Sequence, residues 1–200
     1  MSPRTLLAAD AATKFGTIAL LGFALLNQDL PQFHGKAFAG RAIVYPLALL
    51  VVPVGWWLLG RGRIAFPVAS DILIGLPFLI DVAGNAANLY DAIEWWDEAN
   101  HFVNWALATA GVGLILGHGS WSPLVRATLA FTYAVTSAVL WEFAEFVTFV
   151  PNSPEAATAY GDTLGDLALG MLGGLVGALV TARRPVNIEP GDSAGRAPGV

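Results

Sequence analysis

Six stretches of about 20 mostly apolar residues take up nearly all of this chain, near 6–26, 39–59, 66–89, 98–116, 124–150 and 161–182. About 20 helical residues cross the hydrocarbon core of a bilayer. In that medium each backbone N–H and C=O must be satisfied within its own segment, so each stretch is expected to be a helix. Charge agrees: Asp, Glu, Lys and Arg make up 12% of the 200 residues, against about 25% in soluble domains. The expected fold is therefore all-α, a polytopic integral membrane helix bundle forming one domain over 1–182. The Pro/Gly-rich polar tail 183–200 is expected to be disordered and cytoplasmic. The loops 27–38 and 151–160 are Pro-rich and polar, as turns are. Asp10 and Lys14 interrupt the first stretch at i,i+4 spacing, where they can pair on one helix face. That interruption, with no small-x-small site after Leu26, argues against a cleaved signal peptide. No soluble domain or internal repeat is visible.

Two function classes are excluded early. A net charge of -5 leaves no basic patch for nucleic acid. With no Cys there are no disulfides, thiolate nucleophiles or Cys-ligated metal centres.

Lys and Arg give the orientation. With six spans, Arg4, Lys14, Arg61, Arg63, Arg126, Arg183, Arg184 and Arg196 fall on one side, and only Lys36 and Arg41 on the other. Eight against two predicts that both termini are cytoplasmic. Trp56 and Trp57 then lie at the cytoplasmic interface, and Trp95 and Trp96 at the external one.

Ionisable residues inside membrane helices are costly and are usually retained for function. Here they recur in register. Asp81, Asn85 and Asn88 are spaced i, i+4, i+7 on the third span, and Asp97, His101 and Asn104 repeat that spacing on the fourth. Glu142 and Glu145 are i,i+3 neighbours on the fifth; Asp162 and Asp166 are i,i+4 neighbours on the sixth. At about 1.5 Å per residue, all four polar faces lie in the external half of the bundle. One or two such contacts would serve to hold helices together, but this set exceeds that need.

So many carboxylates cannot ionise together in low dielectric without counter-charge, and these four spans carry no Lys or Arg near the cluster. The expected counter-charge is a divalent metal ion (Zn²⁺, Mn²⁺, Fe²⁺, Mg²⁺ or Ca²⁺) or protons. Asp97, His101, Glu142, Glu145, Asp162 and Asp166 are the candidate ligands. Asp81, Asn85, Asn88 and Asn104 are candidate supporting or substrate-binding groups. The E-x-x-H pattern of di-iron carboxylate proteins is absent; the spacings are D-x-x-x-H, E-x-x-E and D-x-x-x-D. Asp71 is read as a salt-bridge residue near Arg61 and Arg63. His34 and His118 are read as solvated loop residues. The G-x-x-x-G pairs among Gly170, Gly173, Gly174 and Gly177 are read as close helix packing.

Leu89-Tyr90-Asp91, Trp96-Asp97, His101-Phe102, Glu142-Phe143-x-Glu145-Phe146 and Tyr160-x-Asp162-Thr163-x-x-Asp166 follow one another in this order. In these pieces the chain resembles the bacterial YjdF-like inner-membrane proteins, a family of unknown function, and more distantly the VanZ-like proteins. The resemblance covers about residues 66–182 and implies a small polytopic protein of the bacterial inner membrane; the more distant VanZ-like match suggests an envelope setting but carries no function over, and neither supplies a reaction. From the residues, the expected function is metal-assisted action on a lipid or envelope substrate at the external leaflet. A cation- or proton-coupled transporter, or a non-catalytic membrane-organising module, is the alternative.

Overall fold

Each apolar stretch becomes a helix whose ends follow local chemistry. In the computed structural model, which describes residues 2–148, 150 and 154–183, helix α1 spans Pro3–Leu26. Ser2 caps it by accepting the Thr5 N–H at 3.2 Å, and Pro3 occupies the first turn, where its missing N–H costs nothing.

The second span is broken within itself. Helix α2, Phe38–Leu49, gives way to the short helix α3, Val51–Gly55, and then to a π-helical turn, Trp56–Gly60. Pro53 has no N–H for the carbonyl of Leu49, so the regular ladder fails there. The three pieces still run Phe38–Gly60 as one span. Helix α4 is Val68–Ala86, α5 the single turn Leu89–Ala92, α6 Trp96–Leu116, α7 Pro123–Thr148 and α8 Ala159–Ala182. Six helices among the described residues are long and apolar enough to cross a membrane. The third span stops three residues short of the expected 89, because Asn88 adopts a left-handed backbone, φ 57°, that ends regular helix. Of the expected cytoplasmic tail, residues 184–200 lie outside the described residues.

The helices form two groups. One is α1 and α2 against α4; the other is α7 and α8 against α6; α4 and α6 join them. Glycine makes the second group tight. A Cβ added at Gly173 would overlap the Phe102 carbonyl, and one at Gly177 the Ala106 carbonyl, so α8 lies directly on the backbone of α6. Gly174 faces the methyl side chain of Ala134 on α7, which an added Cβ would overlap. The glycine stripe therefore does what its spacing predicts. At the end of the bundle that holds the chain's beginning, the Arg126 guanidinium donates to the Ala182 carbonyl at 2.8 Å, closing the C-terminus of α8 with a cation.

The first group is held by an apolar cluster that includes Leu21, Phe33, Phe38, Tyr45 and Val82. Phe33, from the connection after α1, stacks edge-on against Phe23 at 5.7 Å and Phe38 at 5.0 Å. Those contacts pin the start of α2 over α4, which decides where Arg41 points.

Asp71 has a different partner from the one its position suggested. Lys14 of α1 bonds both Asp10, at 2.8 Å, and Asp71 of α4. Arg61 and Arg63 instead stay at the end of the π-helical turn, Arg61 over the Trp57 ring and Arg63 on the Leu59 carbonyl. The Asp10–Lys14 pair forms as the i,i+4 spacing predicted. Lys14 points inward because α1 packs on α4 and a buried carboxylate waits there.

Candidate functional site

The polar residues gather at one end of the bundle, where α4 and α7 finish and α2, α6 and α8 begin. His101 stands at its centre, one and a half turns into α6 and buried. Its two ring nitrogens face different carboxylates. Nε2 lies 3.7 Å from an Asp97 oxygen and 3.7 Å from an Asp166 oxygen; Nδ1 lies 3.8 Å from Glu142. Asp97 shares the His101 face one turn earlier on the same helix, while Asp166 and Glu142 arrive from α8 and α7. Glu142 and Asp166 are buried, whereas the Asp97 side chain is 45% exposed, so the cluster is open on the Asp97 side.

Two overlapping sets of donors have atoms within 4.8 Å of one another: Asp97, His101 and Asp166, and His101, Glu142 and Glu145. A tetrahedral shell with bonds of about 2.1 Å spaces its ligands about 3.4 Å apart. The three distances to His101 are close to that spacing. Five of the six candidate ligands thus converge. The sixth, Asp162, is exposed in the first turn of α8 and lines the outer vestibule.

Asp81 belongs to a neighbouring centre that the sequence reading did not foresee. It forms an ion pair with Arg41 of α2. It also accepts the hydroxyl of Tyr45 at 2.6 Å, the hydroxyl of Tyr90 at 2.9 Å and the amide of Asn85 at 3.3 Å. Burial and the adjoining Asp81 carboxylate raise the Tyr90 hydroxyl above the usual phenol range, so it stays a donor. The expectation of metal or protons as counter-charge missed Arg41, a fixed cation inside the site, brought from the second span by the packing of α2 on α4. Helix N-termini at Asp97 and Asp162 add partial positive charge. Lys36 pairs with Asp91 at 2.7 Å. Lys36 and Arg41 are the two cations that break the charge bias, and that exception was the signal available in the sequence for finding them.

Of the remaining candidates, Asn104 donates to Asn100 at 3.3 Å and lines an inner cavity. Asn88 does not share the Asp81 face; it is exposed beyond the end of α4. His34 and His118 are exposed, as their loop positions predicted.

Two spaces adjoin the centre. An inner cavity of about 130 Å³ runs between α2, α4, α6 and α7 from Asp97 and His101 down to Ala108 and Tyr133. An outer vestibule of about 190 Å³ lies above it, between Lys36, Asp91, Glu142 and Asp162. Arg41, Tyr90, Asp97 and Glu145 line both. Such a site can bind a cation among carboxylates and hold a second molecule beside it.

A polytopic helical membrane protein with an acidic, His-centred site at one end of the bundle is the class these features define. The chain belongs to the family described as Predicted membrane protein (DUF2238), which matches residues 16–187. An uncharacterized protein of Thermotoga maritima is 37% identical over 112 residues, 54% of this chain. The aligned part is 58% of that relative, so the match spans less than two thirds of its length. No solved structure matches the chain.

Proposed function

We propose that the protein binds a divalent metal ion through His101 Nε2, Asp97 and Asp166 and acts on a lipid or envelope substrate at the outer face of a bacterial inner membrane. The observation that carries this reading is the pair of carboxylate oxygens, one from α6 and one from α8, each 3.7 Å from the same imidazole nitrogen. Glu142 on the Nδ1 side supports it further, since a ligating His commonly donates its other N–H to a carboxylate that fixes its orientation. The half-exposed Asp97 leaves a side open for water or substrate. There the ion would activate water or polarise a phosphoryl or carbonyl oxygen. Glu145 and Asp162, at the rim, are then available as further ligand or general base.

The eight-to-two Lys/Arg bias supports placing this end outside and both termini in the cytoplasm. The family match supports a membrane setting and adds no reaction, so the envelope substrate is part of the proposal. Metal analysis of the detergent-purified protein tests the reading. Near-stoichiometric metal in the parent, lost in His101→Ala with folding intact, is the expected result. Protein without metal that no divalent ion stabilises against heat overturns it.

A further inference from the structure

The inner cavity has a composition that a metal centre alone does not require. Away from His101 its walls are the rings of Tyr45, Phe78, Trp105, Tyr133 and Trp141, drawn from four helices. Tyr45 lies 4.9 Å from Phe78 and 6.3 Å from Trp141, so these three rings meet across the seam between the two helix groups. Three carboxylates, Asp81, Asp97 and Glu145, line the cavity against one guanidinium.

Several donors around Asp81 are already engaged. Arg41 gives Nη1 to Asp81 and Tyr45 and Nε to the Lys36 carbonyl, and the Tyr45 and Tyr90 hydroxyls both donate to Asp81. Acceptors remain. The side-chain oxygen of Asn104 is buried with no hydrogen-bond partner, and Glu145 adds a carboxylate to the wall. An anion would meet that surplus of negative charge. An inorganic cation would find rings in place of oxygen ligands over most of the wall. An organic ammonium group suits both halves: its charge faces carboxylates and aromatic faces, and its carbon surface leaves water cheaply. Size agrees, since a cavity of roughly 150 Å³ takes benzene.

We propose that this cavity binds an organic ammonium group, held against the Tyr45–Trp105–Tyr133–Trp141 rings with Glu145 as its counter-charge. The ammonium comes from a soluble amine or from a lipid headgroup entering along the seam. The cavity shares Asp97, His101 and Glu145 with the metal reading, but ammonium binding needs no ion, so titration in the presence of a chelator separates the two.

The test is isothermal titration of the full detergent-purified chain, metal-free, with tetramethylammonium. Saturable binding is expected. The neutral isostere 2,2-dimethylpropane, presented as its soluble analogue 3,3-dimethylbutan-1-ol against choline, should bind about tenfold more weakly than its charged partner. Glu145→Gln, which keeps the side chain's size, and Trp105→Leu should each weaken tetramethylammonium by about tenfold. Thermal unfolding of each variant checks that it is folded, and Trp95→Leu, exposed just before α6, should bind as the parent does. A phosphocholine lipid that competes with tetramethylammonium marks the headgroup as the source; choline binding without lipid competition marks a soluble amine. No saturable binding to the parent, equal binding of the neutral isostere, or unchanged affinity in both folded cavity variants overturns the proposal.

Discussion

Arg41 on the second span and Asp81 on the third form a buried ion pair whose carboxylate also accepts the hydroxyls of Tyr45 and Tyr90. One pair thus joins α2 to α4 and supplies the fixed positive charge beside a cluster of acids. Removing either partner strands the other in low dielectric, at a cost of about 3–5 kcal/mol. Arg41→Met and Asp81→Asn should each lower the thermal unfolding midpoint sharply. The double variant should recover part of the loss, because no lone charge remains. Equal and additive losses would show that the two residues do not act as a pair.

Glycine on α8 is expected to divide by what stands opposite. Gly173 faces the Phe102 carbonyl, whereas Gly165 has nothing within 4 Å of an added Cβ. Gly173→Ala should destabilise by at least about 1–3 kcal/mol through overpacking. Gly165→Ala should be neutral or gain up to about 1 kcal/mol from helix propensity. Detergent unfolding of the two variants side by side measures the difference.

Lys14 holds two buried carboxylates, Asp10 and Asp71, while Arg61 holds neither. Lys14→Met should cost about 3 kcal/mol, since it leaves two carboxylates facing each other without a cation. Arg61→Met should cost less than about 1 kcal/mol. Comparable losses in the two unfolding midpoints would return Asp71 to the arginines.

Within the metal reading, the two sides of His101 have different duties. Asp166→Asn removes a ligand charge and should abolish metal retention. Glu142→Gln leaves an amide oxygen to accept the Nδ1 proton, so it should weaken affinity by about 10–100-fold. Metal titration of the folded variants reads this order, and the reverse order would move the ion to the Nδ1 side, with Glu142 and Glu145.

Topology follows from the charge bias. A reporter inserted at Gly35 should read as external and one at His118 as cytoplasmic. The opposite outcome at both positions would place the acidic centre on the cytoplasmic side.

Much of this arrangement was legible in the residues themselves. Backbone hydrogen bonds must close within a segment in hydrocarbon, so six apolar stretches meant six helices. The 3.6-residue period alone put Asp97 and His101 on one face, and Glu142 beside Glu145. Helix direction alone put Asp81, His101, Glu142 and Asp166 at one depth. Local periodicity stops at the edge of a helix, however, and says nothing about which face meets which. That Arg41 reaches Asp81, that Lys14 takes Asp71 from the arginines, that Asn88 leaves the shared face and that aromatic rings wall a cavity beside His101 all depend on packing between distant segments. Long cationic side chains extend that uncertainty, because a Lys or Arg on a neighbouring helix pairs with whichever buried carboxylate the fold brings within reach.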